Sequence, residues 1–223
     1  GLMYGVYSNG ANTVISRVET LAKYMGIQIS QAGAVVENCL LRGGSYGLYK
    51  DSNTSSLMTV RNCTVTGFSN IGVYCYYGSA LDMKNCIVVA DGSGDQAVSI
   101  NSVSTSMVSD YNCLLARNGA FIGAYGGNWS SMAEWQTSTG KDAHSLSVEP
   151  LFVDADGADN TVNNADDDLH LQSTAGSYKA GAFTADAGDS AGLDEGSPAS
   201  GVGAEPSPNG SRINLGAFGG TEY

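Results

Sequence analysis

The chain has 223 residues and a net charge of −12, and only 14% of them are charged although 42% are apolar. A 20-residue apolar run that would span a membrane is missing, and the acidic balance disfavours phosphate backbones, so nucleic acid is excluded as a partner. The charge is uneven: residues 1–140 carry seven Lys/Arg against eight Asp/Glu, and residues 141–223 carry three against fourteen.

In chain order, short strand-like pieces recur. "GVYS" at 5, "GIQI" at 26, "GLYK" at 47, "GVYC" at 72 and "AVSI" at 97 form one column. "VENCLL", "VRNCTV", "MKNCIV" and "DYNCLL" form another, with Asn38, Asn62, Asn85 and Asn112 each followed by Cys39, Cys63, Cys86 and Cys113. "ISRVET" at 15–20 fits the same unit one period earlier. A period of 21 to 27 residues signals a solenoid. Each unit alternates with period two and lacks a helix-length amphipathic pattern, so leucine-rich and ankyrin-type repeats are excluded.

The expectation is an all-β parallel β-helix of five to six coils over residues 1–125, with 126–223 as a loop-rich, non-repeating cap on the last coil. Equivalent residues of successive coils stack about 4.8 Å apart. Asn suits a left-handed corner, and its stacked amides can form a ladder. The following Cys, small and apolar, points inward, so the four cysteines are expected to form one internal file. Metal ligation and vertical disulfides are the lesser alternatives, and the fifth cysteine, Cys75, leaves the count odd. The chain opens on repeat sequence, which implies further coils upstream.

These repeats resemble the right-handed parallel β-helix proteins of the pectate-lyase-like superfamily, with their short "I-x-N-C/N-x-I" motifs. Residues 135–221 resemble the closing segment of secreted bacterial β-helix proteins through Trp135-Gln136, "EPLFVDADG" at 149–157, "DDDLHL" at 166–171 and "EPSPNGSRINLGAFGGT" at 205–221. The resemblance implies an extracellular or cell-surface bacterial location. It implies no reaction, because this scaffold serves lyases, hydrolases, adhesins and structural proteins alike.

Ser131-Met-Ala-Glu134 is a capping box, so a short helix through Trp135 is expected. Trp129, Trp135, Leu151 and Phe152 are the bulky residues expected to cover the end of the coils. Asp154, Asp156 and Asp159 supply oxygen for calcium, the one cofactor left open, against a plain solvated acidic turn. Glu37, Arg61, Lys84 and Tyr111 stand outward in a column flanked by Thr59, Asp82 and Ser109. By the resemblance, Arg61, Lys84 and Asp82 are the cluster that suits lyase chemistry; by charge they are a neutralising ladder. Glu37 and Asp82, about 10 Å apart along the axis, sit at the edge of the range for an inverting glycosidase. Tyr7, Tyr49 and Tyr74 form an outward stripe, with Tyr76 and Tyr77 nearby, able to stack on sugar rings or, as the plainer alternative, among themselves. His144 and His170 read as cap or turn residues, and Asn53, Asn128 and Asn209 match the glycosylation pattern. The functional expectation is a structural or adhesive module contacting polysaccharide or neighbouring surface modules, with a polysaccharide lyase or glycoside hydrolase, or a glycan-binding module, as alternatives.

Overall fold

The computed structural model describes residues 3–51, 56–76, 78–102, 106–179 and 181–223. Asn53 and Tyr77 lie outside the described residues. Five turns of three strands follow one another. They are β1 (Tyr4–Ser8), β2 (Val14–Ser16) and β3 (Glu19–Leu21); β4 (Met25–Ile29), β5 (Val35–Glu37) and β6 (Leu40–Arg42); β7 (Tyr46–Asp51), β8 (Leu57–Arg61) and β9 (Thr64–Thr66); β10 (Ile71–Tyr76), β11 (Ala80–Lys84) and β12 (Ile87–Asp91); β13 (Gln96–Ile100), β14 (Met107–Asp110) and β15 (Cys113–Arg117). Then come β16 (Phe121–Ala124), β17 (Asn128–Trp129) and helix α1 (Met132–Thr139), followed by β18 (Phe152–Asp154), β19 (Asp168–Leu171), β20 (Ser177–Lys179) and β21 (Ala182–Thr184).

Each strand pairs in parallel with its equivalent one turn away, giving three parallel walls. The first holds β1, β4, β7, β10, β13 and β16, closed by antiparallel β17; the second runs β2 to β14; the third runs β3 to β15. This is the all-β solenoid expected from the repeats. Val6, Ile27, Leu48, Val73 and Val98 stack in register on the first wall. Ile15, Val36, Val60 and Met83 do so on the second, and Leu41, Val65, Val88 and Leu114 on the third. All but the edge residue Val6 are buried in one core.

The residue before the first inward column is Gly5, Gly26, Gly47, Gly72 and then Ala97. A Cβ on Gly47 would fall 2.2 Å from Val65 Cγ1 and 2.7 Å from the Gly72 carbonyl oxygen. The narrow corner thus demands glycine for close approach, not for backbone freedom.

The fifth turn departs from the sequence expectation. Ile87 pairs with Cys113 and Lys84 with Asp110, so Asn112, not Cys113, stands above Cys86, and Tyr111 takes the left-handed corner with φ 57°. Cys39, Cys63 and Cys86 form the internal file. Cys113 faces the other way, into a lateral cluster with Ile87, Leu115 and Leu215. The outward column is Glu37, Arg61, Lys84 and Asp110, with Tyr111 shifted out of it, and Ser109 occupies the inward Met83 column. The physical reason lies in the cap. Asp142, 1% exposed, accepts hydrogen bonds from Ser109 Oγ (2.9 Å), Asn112 Nδ2 (3.1 Å), Ser145 Oγ (2.7 Å) and Trp135 Nε1 (2.8 Å). In an otherwise apolar last core layer, Ser109 and Asn112 are the polar residues that receive this carboxylate.

Helix α1 starts on the Ser131–Glu134 capping box and ends on left-handed Gly140. Its Trp135, 0% exposed, lies against Gly123 and seals the core with Trp129 and Met132. Leu151, expected in this role, is 45% exposed, and Phe152 joins the lateral clusters. Residues near 126–149 close the end. The remainder, expected on the last coil, runs back along the third wall. Leu215 and Leu171 cover Ile87 and Cys113, and Ala217 and Leu169 cover Leu40. That wall therefore carries apolar residues on both faces.

Candidate functional site

The corner asparagines hold the returning segment. Asn38, Asn62 and Asn85 have φ of 50°, 48° and 57°, the left-handed corner conformation. Their amides make one rung, Asn85 Nδ2 to Asn62 Oδ1 at 3.3 Å. Otherwise they turn to the closing segment. Asn38 Nδ2 donates to the Ala217 and Gly219 carbonyls (3.0 and 2.8 Å), Asn62 Nδ2 to the Asn214 carbonyl (3.4 Å), and Asn85 Oδ1 accepts from Ser197 N (2.7 Å). A continuous ladder is replaced by sockets for a chain more than 110 residues away. All five cysteines are free thiols, and burial pushes the Cys63 thiol well up, which keeps it neutral.

The acidic loop is likewise tied to the coils. Arg42, buried on the third wall, pairs with Glu19 and, at 3.8 Å, with Asp167, and donates to the Asn164 carbonyl. Asp168 holds His170 Nδ1 at 2.6 Å. Asp159 accepts from Asn164 Nδ2 (2.9 and 3.0 Å) and from Thr161 N (2.8 Å). Asp154 lies beside Asp156, and desolvation together with that neighbour raises its carboxyl above the usual range. Among the described residues, no three His, Cys, Asp or Glu side chains converge on a point a metal ion could occupy.

On the second wall, Arg61 is committed. It pairs with the Asp82 carboxylate and donates to the carbonyls of Asp82 (2.7 Å) and Val60 (2.9 Å). A guanidinium so engaged is positioned as a brace between turns. One turn on, Asp110 accepts from His144 N and meets its Nδ1, both at 2.8 Å, and His144 stacks on Tyr111 at 4.8 Å. Burial works against charge on Asp110, but the bonds from His144 and Tyr111 outweigh it and hold the carboxyl low. This Asp–His pair escaped sequence reading because the fifth turn was placed one residue out of step.

The first wall carries the tyrosines. Tyr49 and Tyr74 pair across adjacent turns with ring centroids 5.2 Å apart. Tyr46 lies 5.1 Å from Tyr49 and 5.8 Å from Tyr74, and Tyr24 and Tyr4 extend the row at 6.0 Å each. Tyr76 completes it 5.8 Å from Tyr74. Tyr7 is exposed on the same wall, with Gln28 between it and Tyr49. The rim is polar: Gln28 Nε2 donates to Asp51 (3.3 Å), and Asn70 Nδ2 to the Tyr46 hydroxyl (2.9 Å). Desolvation, Asp51 and the neighbouring rings push the Tyr49 hydroxyl up to about 12, so it stays a donor. Tyr4, Tyr24 and Tyr46 were missed as members, although their spacing of 20 and 22 residues matches the coil period.

Three in-register parallel walls and the repeat agree with what comparison finds: the sequence model of a family described as "Right handed beta helix region" matches residues 3–133. The chain belongs to that family. No curated protein and no solved structure matches it. The family gives the hand of the coil and no chemistry. No helix among the described residues is long and apolar enough to cross a membrane.

Proposed function

We propose that this β-helix module is an extracellular, non-catalytic structural and adhesive element that holds polysaccharide against the tyrosine wall. The observation that carries the reading is the row of six tyrosines in ring contact, Tyr4 to Tyr76, along one wall, five on its strands and Tyr24 in the bend before β4. Flat rings with hydroxyl edges suit the C–H face and hydroxyls of a sugar, and a wall of fixed strands keeps them in place without ordering cost on binding. The engagement of Arg61 by Asp82 leaves the lyase-like cluster without a free guanidinium, which favours binding over catalysis.

The test is affinity electrophoresis and glycan-array binding of the chain against a Tyr49→Ala/Tyr74→Ala variant. At about 1 kcal/mol per ring, the double variant should bind at least about tenfold more weakly. Unchanged binding, or accumulation of unsaturated products when pectin or alginate is supplied, would defeat the proposal.

A further inference from the structure

The returning segment encloses a second, separate feature. Between β19, the β20–β21 hairpin and the C-terminal turn lies a cleft of about 630 Å³. One side is aromatic. Tyr178 sits 5.0 Å from Tyr223, 5.5 Å from Phe183 and 5.7 Å from His170, and His170 stacks on Phe218 at 3.6 Å. The same cleft is lined by Asp189, Asp194 and Glu205, and by no Lys or Arg.

Of these three carboxylates, Glu205 is short of donors. Glu205, 7% exposed, takes Asn214 N (2.8 Å) and Gly220 N (2.7 Å) on Oε1, while its buried Oε2 has no partner. His170 Nδ1 faces the Asp168 carboxylate at 2.6 Å, and its Nε2 is also buried and unpartnered. Asp189 is occupied by Thr174 N and Oγ1 (2.6 and 3.0 Å). Burial raises the carboxyls of both Glu205 and Asp194; Arg212 offsets part of this at Asp194, whereas the charge nearest Glu205 is Asp194 itself. An occupant that brings donors and positive charge relieves both deficits. Calcium fits poorly, since two available carboxylates fall short of six to eight oxygens. Aromatic faces favour an organic cation, whose charge they attract and whose carbon skeleton they cover. Asn209 and Asn214 also line the cleft, with Asn209 Nδ2 donating to the Glu205 carbonyl (3.0 Å) and Asn214 Oδ1 accepting from Asp194 N (2.8 Å).

We propose that this cleft binds an amino sugar of an oligosaccharide, its ring against Tyr178 and its ammonium toward Asp194 and Glu205. The site is independent of the tyrosine wall, so the two can fail separately.

The test is isothermal titration of the full chain with a glucosamine tetramer, the fully N-acetylated tetramer, trilysine and calcium chloride. The expected result is binding of the glucosamine tetramer at least about tenfold tighter than of the uncharged tetramer or trilysine. Asp194→Asn and Tyr178→Ala should each weaken it about tenfold, and Tyr49→Ala/Tyr74→Ala should leave it unchanged. Asn accepts the φ of 56° at position 194, so that variant keeps its backbone. Absence of glucosamine binding, equal affinity for the acetylated tetramer or trilysine, displacement of the sugar by calcium, or full affinity in folded Asp194→Asn would each overturn the proposal.

Discussion

Replacing Asp142 by Ala removes the acceptor at the centre of the cap. Four buried or half-buried donors, from Ser109, Asn112, Ser145 and Trp135, lose it together. The two hydroxyls can rotate to other acceptors, and Asn112 Nδ2 keeps the Met83 carbonyl at 3.4 Å. The Trp135 indole N–H has no described alternative. A hydrogen bond to a charged group contributes about 1.5–3 kcal/mol, and a stranded buried donor costs about 1–3. Asp142 also holds φ at 55°, where Ala adds about 1 kcal/mol of strain. Allowing for partial rescue, the loss is about 4 kcal/mol. Asp142→Asn, which tolerates that φ and keeps one acceptor oxygen, should lose about half of it. Both tryptophans, Trp129 and Trp135, lie in this cap, so urea unfolding followed by tryptophan fluorescence reads the perturbed region directly. A loss below about 1 kcal/mol in Asp142→Ala would refute the claim that this carboxylate organises the end of the solenoid.

Lys50 is 0% exposed with Nζ unpartnered, in the inward column between Ile29 and Cys75. Burial lowers its pKa from 10.5, so the unfolded chain binds more protons and the lysine's contribution to stability rises with pH up to about 10.5. Lys50→Met should therefore be more stable by about 1–3 kcal/mol near neutrality, with a margin that narrows as pH approaches 10 in urea titrations; a less stable variant at both pH values would contradict this. Gly47→Ala should destabilise by several kcal/mol and lower the thermal midpoint, because its Cβ meets backbone in the next turn. A Gly47→Ala protein with an unchanged midpoint would mean that the turns are spaced more loosely.

The solenoid was legible because stacking repeats the same demand at each turn, so Val36, Val60 and Met83 announce one column without any long-range information. The register of the last turn was not legible. Asn112-Cys113 repeats the motif of Asn85-Cys86 letter for letter, yet its position is decided by Asp142, thirty residues later. Polar Ser109 and Asn112 look like corner or surface residues until that partner is known. The tyrosine wall was half visible: Tyr49 and Tyr74 follow the period two alternation, while Tyr24 and Tyr46 enter from strand edges. The path of the closing segment was hidden for a simpler reason. Its contacts, such as Asn38 with Gly219, join residues about 180 apart with no repeat to signal them. The cleft lined by Tyr178 and Glu205 exists only because of that path.

The most direct test of in-register stacking, with its one-residue offset in the fifth turn, is disulfide mapping of an Ile87→Cys variant after mild oxidation. Paired positions on adjacent turns lie about 4.8 Å apart, within disulfide reach. The account predicts a cross-link between position 87 and Cys113, identified by mass spectrometry of the digest. A cross-link between Cys86 and Cys113 instead would contradict it.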